Sequence, residues 1–326
     1  MPALTYPEAI VVGLFQGVSE LFPVSSLGHS VLIPALIGGQ WARDLNVSAP
    51  ESPYLAFIVG LHVATALALL AYFWRDWLRI AGGFATSLRD RQVRTADQRL
   101  AWLIILATIP VGIAGLLLEH TFRTVLGKPV PAAIFLTVNG VILFAGERLR
   151  RRDPAQTAPA GHARQMAAVS ASQPARDQLP GQHAVRQRES VADRDADRRL
   201  AGLGYPQAVV IGSVQILALL PGISRSGVTM VAGLTRGLSH EDAARFAFLL
   251  ATPVILAAGA LKIPDLAGPL GNGIRGQILA GSLFSGIGAY LSVRFLLRYF
   301  QTRTLTPFAI YCVAAGLGSL AYLTLT

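Results

Sequence analysis

The sequence predicts an all-α polytopic membrane protein, with six transmembrane helices plus two re-entrant helical hairpins in an inverted-topology repeat. Three observations lead there. Of the 326 residues, 52% are hydrophobic and only 14% charged, too apolar and charge-poor for a soluble domain of this length. A polar, proline-broken stretch occurs once in each half of the chain. The basic residues gather in some of the connections between apolar runs and are sparse in others.

The first broken stretch, "VVGLFQGVSELFPVSSLGHS", starts at Val11. Pro23 lacks a backbone N–H and pushes the residue before it out of the helical region. Non-helical backbone at membrane depth is tolerated only inside protein or beside water. The segment is therefore expected to enter as a helix, break near Pro23 and leave on the same side as a short second helix. Three spans follow, Tyr54 to Trp74, Leu100 to Leu118 and Pro131 to Phe144. A bilayer needs about 20 helical residues per span. Nothing alternates with period two over strand-length segments, which rejects a membrane barrel.

Residues 150 to 200 change character. They are rich in Arg, Gln, Ala and Asp and poor in large apolar residues, so a flexible loop is expected. The second broken stretch, "VVIGSVQILALLPGISRSGVT", then starts at Val209. Shifting the first stretch by about 199 positions, the distance from Gly13 to Gly212, also brings Gln16 onto Gln215, Leu21 onto Leu220, Ser25 onto Ser224 and Gly28 onto Gly227. The shared order of Gly, Gln, Ser and Gly marks an internal repeat, with Pro221 breaking the second copy. Spans at Ala243 to Leu261, Gln277 to Leu297 and Pro307 to Leu325 complete it. The division expected is a first membrane repeat over 1–149, an Arg-rich loop over 150–204 and a second membrane repeat over 205–326.

The formal charge is +10. A nucleic-acid binder is one reading of that number, but the charge lies between membrane spans. With three crossings per half, one side collects Arg75, Arg79, Arg89, Arg91, Arg94, Arg99, the Arg-rich loop, Arg236, Arg245 and Arg303. The other holds Arg43, Arg123, Lys128, Lys262 and Arg275. Basic connections stay cytoplasmic, so the Arg-rich loop is expected inside, both termini outside and the second half inverted. The N-terminal stretch lacks the basic region of a cleaved signal peptide. The single cysteine, Cys312, reads as packing.

The two polar turns carry the chemistry. Arg225 sits between Ser224 and Ser226, with Gly222 and Gly227 near and Thr229 after. Glycine allows close backbone approach, a helix start offers free N–H groups, and arginine adds a planar fork for phosphate oxygens. Together they make an anion site; the plainer reading is a kinked helix with a snorkelling arginine. In the first turn, Ser25 and Ser26 are candidate nucleophiles. His29 lies one helical turn beyond Ser26, the spacing of a nucleophile and its base. Glu20 can orient His29, hold a cation or hold a proton. The plainer reading there is a serine-rich cap. Inverted repeats with broken helices also suit a transporter. The Ser26–His29 pair is what transport does not require.

"GVSELFPVSSLGHS" and "LALLPGISRSGVT" resemble the two signature motifs of the undecaprenyl-diphosphate phosphatase family, membrane phosphatases linked to bacitracin resistance. "AYFWRDW" at 71 to 77, "ATIPVGIAGLLLE" at 107 to 119 and "FLLATPVILAAG" at 248 to 259 extend the likeness over both membrane halves. It does not cover the Arg-rich loop. The resemblance implies hydrolysis of undecaprenyl diphosphate to undecaprenyl phosphate and inorganic phosphate, recycling the lipid carrier for peptidoglycan. It implies Ser26 and His29 as catalytic, with Glu20 and Arg225. It implies phosphate binding by Ser224, Arg225, Ser226 and Thr229; Ser25 and Gly222 flank these. It also implies a divalent cation, magnesium or calcium, with Glu20 as the candidate ligand. The expected setting is the bacterial inner membrane with the site opening outward, a polyprenyl diphosphate as partner, and a homodimer left open. Two departures stand out. Gln16 replaces the first acid of the family's E-x-x-x-E motif, and His62 stands where a Gln is expected. His62 is left out of the expected site. The mechanism expected is attack by Ser26 with His29 taking its proton, while water or His29 as nucleophile fits the sequence nearly as well.

Overall fold

The structure is a computed structural model that describes residues 4–39, 45, 53–151, 194–267 and 273–325. Every regular element among the described residues is helical. Helix α1 (Tyr6–Leu21) starts on a capping box, in which the Thr5 hydroxyl and the Glu8 carboxylate satisfy each other's backbone amides. It stops two residues before Pro23, and Phe22 is already extended. Helix α2 (Ser26–Ile37) restarts from Ser25. Helix α3 (Pro53–Tyr72) bends by 83° at Phe73 into α4 (Trp74–Asp90). Helices α5 (Ala96–Leu126) and α6 (Pro129–Arg151) follow.

In the second half, α7 (Arg194–Ala201) turns by 99° into α8 (Tyr205–Ser213), which tightens into a 3-10 stretch over Val214–Leu219. After Pro221 the chain restarts as α9 (Arg225–Leu234), capped by Ser224. Helices α10 (His240–Ala267), α11 (Arg275–Tyr299) and α12 (Thr306–Leu325) close the chain. Five of the six expected spans each fall on one helix among the described residues. Among the described residues, five helices are long and apolar enough to cross a membrane by themselves, from Ala96, Pro129, His240, Arg275 and Thr306 onward. The count rises to seven if each bent pair is one span. The expected Tyr54–Trp74 span belongs to one of these pairs, because the chain turns at Phe73.

The halves interlock. Helix α1 lies along α11, and α8 along α5. A Cβ on Gly13 would collide with the Gly281 carbonyl, and one on Gly212 with the Ala107 carbonyl. The two glycines matched by the sequence repeat thus each bring a broken helix against a helix of the other half.

Most of the Arg-rich stretch lies outside the described residues. Its last part departs from the flexible loop expected there, because α7 is a helix anchored by charge. Buried Asp197 accepts from Arg245 Nε at 3.0 Å and from Arg79 Nη2 at 2.5 Å. Arg79 and Arg245 also pair with Asp76. Arg245 lies over the Phe73 ring, 5.3 Å from its centroid. Two cations and two carboxylates thus join α4, α7 and α10. A buried ion network holds only when each member is paired.

Candidate active site

The two proline turns meet, as their polarity requires. Ser25 stands at φ 68 and ψ 100, outside the comfortable regions for a side-chain-bearing residue, at a cost of about 1–3 kcal/mol. Hydrogen bonds hold it there. Its hydroxyl accepts from the Gly28 amide of its own turn and from the Gly222 amide of the other turn, both at 3.2 Å. In return, the Ser224 and Ser226 hydroxyls donate to the Phe22 carbonyl at 3.3 and 3.2 Å. Asn139 on α6 braces both sides. Its Nδ2 donates to the Pro23 carbonyl at 3.1 Å and its Oδ1 accepts from the Ser224 amide at 3.0 Å.

Glycine is needed where the turns touch. Gly222 has φ +113, and a Cβ there would sit 2.5 Å from the Ala132 carbonyl. A Cβ on Gly28 would sit 2.7 Å from Gly222 Cα, and one on Gly227 would sit 3.3 Å from Pro23 Cβ. By the same shift of about 199 positions, Gly28 matches Gly227 and Pro23 matches Gly222. The contact therefore keeps its form when the halves exchange places.

At this junction lies a charged cluster. Ser26 donates to Glu20 Oε2 at 2.5 Å, and Gln16 Nε2 donates to the same oxygen at 3.0 Å. His62 Nε2 lies 3.4 Å from it, and Arg225 Nη2 lies 3.6 Å from Glu20 Oε1. The Glu20 side chain is only 5% exposed, while that of Arg225 is 25% exposed. Arg225 Nη1 is buried and has no acceptor among the described residues. An unpaired buried donor costs about 1–3 kcal/mol. Helices α2 and α9 both begin here, leaving first-turn amides that favour an anion.

The structure departs from the expected Ser26–His29 couple. Ser26 turns to Glu20, and both His29 nitrogens are engaged elsewhere. His29 Nδ1 is 2.7 Å from the Ser25 carbonyl, and Nε2 is 2.8 Å from the Tyr311 hydroxyl. One helical turn puts the two side chains near each other, but in the first turn of α2 the His29 ring leans back onto its own cap. Ser26, the first residue of α2, faces α1. His29 joins the junction through Ser25, whose carbonyl it holds. Thr229 is buried and donates to the Arg225 carbonyl at 2.7 Å, so its hydroxyl serves its own helix. Gly222, Ser224 and Ser226 bind the opposite turn.

Four residues absent from the expected site enter this geometry: Gln16, His62, Asn139 and Tyr311. His62 and Asn139 had a sequence signal, since each is a lone polar residue in an apolar run. Tyr311 had none; a tyrosine in a membrane helix is ordinary.

The profile of the family described as Bacitracin resistance protein BacA matches residues 9–318. The chain belongs to this family. Among its relatives in the family, a protein of Mycolicibacterium paratuberculosis named undecaprenyl-diphosphatase is 65% identical, over 99% of this chain and 98% of the relative. One of Frankia casuarinae, undecaprenyl-diphosphatase 1, is 57% identical over 97% of both. One of Chromobacterium violaceum, undecaprenyl-diphosphatase 2, is 39% identical over 97% of this chain and 98% of the relative. The BacA match spans both turns and everything between them.

Proposed function

We propose that this chain is an integral membrane phosphatase that hydrolyses undecaprenyl diphosphate to undecaprenyl phosphate and inorganic phosphate, returning the lipid carrier to peptidoglycan synthesis. One observation carries the reading: a serine hydroxyl 2.5 Å from a buried carboxylate, beside an arginine whose inner nitrogen lacks an acceptor among the described residues. The family and the names of its members support it, and none of those names points to transport.

The terminal phosphoryl group would take its place against Arg225 and the first-turn amides of α2 and α9. The guanidinium and amides offset charge on its oxygens. Ser26 Oγ attacks the terminal phosphorus as its proton passes to Glu20 Oε2. The phosphoanhydride bond breaks, and undecaprenyl phosphate leaves as an anion that needs no proton. Gln16, His62 and Arg225 hold the carboxylate in place. Water then attacks the phosphoserine, and Glu20 returns its proton to Ser26.

The divalent cation implied by the resemblance would meet one carboxylate in this cluster, Glu20, whose oxygens already face Ser26, Gln16, His62 and Arg225. Among the described residues, no group of three or more His, Cys, Asp or Glu could hold a metal. Magnesium suits such a site, since it accepts one carboxylate with phosphate oxygens and water as further ligands. When bound, it would neutralise diphosphate charge.

The exchange-related glycine contacts and serine caps support two inverted re-entrant hairpins with six crossings. The basic connections support a bacterial inner-membrane protein with an outward-opening site.

Purified protein in detergent, given undecaprenyl diphosphate, should release phosphate. Ser26→Ala should lower the turnover about 10⁴-fold or more. Lipid movement without phosphate release would instead identify a transporter.

A further inference from the structure

His29 is held in a way that the serine-attack step does not use. Its Nδ1 faces the Ser25 carbonyl at 2.7 Å. A carbonyl only accepts, so Nδ1 carries the proton and the neutral ring keeps its lone pair on Nε2. That lone pair faces the Tyr311 hydroxyl at 2.8 Å, so the hydroxyl donates to it. The two rings lie nearly parallel, with an interplanar angle of 10° and centroids 5.7 Å apart. Phe15 closes another side of the imidazole, with centroids 5.5 Å apart. His29 is buried, whereas Tyr311 is 45% exposed. The basic nitrogen of His29 is thus covered by the Tyr311 hydroxyl.

Meanwhile Ser26 already has an acceptor for its proton in Glu20. The site therefore contains two separate proton acceptors: Glu20, in contact with the nucleophile, and His29, in contact with Tyr311. A reaction through a phosphoserine has a task for each. During attack, one proton leaves Ser26. During breakdown, one proton leaves water while Ser26 must regain its own.

We propose that Tyr311 is a further catalytic residue that passes the proton of the attacking water to His29 during breakdown of the phosphoserine. This rests on the phosphatase reading above. The step balances as follows. The water oxygen bonds to phosphorus, and the bond from phosphorus to Ser26 Oγ breaks. Ser26 Oγ takes back the proton held by Glu20. The water proton moves to the Tyr311 oxygen as the Tyr311 proton moves to His29 Nε2. The imidazolium so formed keeps its Nδ1–H on Ser25. It then returns a proton through Tyr311 to the departing phosphate, which restores the resting state. No oxidant or further reactant is required.

The test uses the full chain in detergent with undecaprenyl diphosphate radiolabelled at the terminal phosphorus, quenched in acid. The wild type must release phosphate; if it does not, the phosphatase reading fails and takes this inference with it. Given an active wild type, Tyr311→Phe keeps the ring and its stacking. It should release about one undecaprenyl phosphate per chain in a burst and retain label on the protein. Steady phosphate release should fall about 10²-fold, with KM falling alongside it and kcat/KM little changed. His29→Gln should show the same burst, and the double variant should be no slower than the slower single one. Incorporating 3,5-difluorotyrosine at position 311 retains the hydroxyl and should change breakdown of labelled protein without changing its formation. Turnover of Tyr311→Phe within twofold of wild type would overturn the proposal while leaving the phosphatase reading intact. So would slow turnover of that variant without a burst or labelled protein, or an unchanged breakdown rate in the fluorinated protein.

Discussion

Ser25 and Ser224 occupy matching places in the two turns. Each caps a helix by accepting from the amide three residues on, at 3.2 Å in both cases. What surrounds the caps differs. By the shift of about 199 positions, Glu20 matches Leu219, Ser26 matches Arg225 and His29 matches Val228. The first turn thus has an acid, a hydroxyl and an imidazole where the second has an apolar residue, a guanidinium and another apolar residue. Backbone and caps follow the repeat; reactive side chains do not. One turn holds an acid and a hydroxyl, the other a guanidinium, and the two are brought together because each turn hydrogen-bonds the other.

That contrast can be broken at its strongest point first. Glu20→Gln keeps the shape of the reacting side but removes the proton acceptor of Ser26, and kcat should fall about 10³-fold with the protein still folded by melting curve. A smaller loss than that of Arg225→Lys would reverse the assignment of the two turns. Arg225→Lys keeps one positive charge but loses the planar fork. It should cost about 10²-fold in kcat/KM, measured with undecaprenyl diphosphate at several concentrations. Asn139→Ala touches neither side's chemistry and removes the brace between them. It leaves the Ser224 amide without its acceptor and the Pro23 carbonyl with only the weak Cys312 thiol donor, and should destabilise the protein by about 1–3 kcal/mol, read as a lower melting temperature in detergent. Gly28→Ala sharpens the comparison further. Its added methyl meets Gly222 backbone and should part the turns, lowering activity per folded molecule about tenfold, an effect on positioning alone. Unchanged activity in that variant would show that the turns need not touch.

The sequence made the frame legible. Apolar runs of span length, two prolines in polar turns and a repeated order of Gly, Gln, Ser and Gly located the helices and both breaks. They also led to Arg225 and Glu20, which the structure brings within 3.6 Å. The pairing inside the site was less legible. Spacing along α2 allowed Ser26 to face His29, but periodicity gives proximity and not rotamer, and the Ser25 carbonyl claims the ring. Tyr311 lies 282 positions from His29, and no local pattern links them. The bend at Phe73 was missed because apolar character continues into Trp74. The helix at Arg194–Ala201 was missed because its anchors, Arg79 and Arg245, are remote in sequence and composition does not report partners.

Those anchors have a practical consequence. Arg151 ends α6, and Asp197 is fastened to α4 and α10, so residues 152–193 are delimited by two secured ends. Flexible residues inserted between fixed posts carry little thermodynamic penalty, about 0.6 kcal/mol per doubling of the length between them. That interval is where a fluorescent reporter or affinity tag can be spliced in while Ser26, Glu20 and Arg225 keep their mutual geometry.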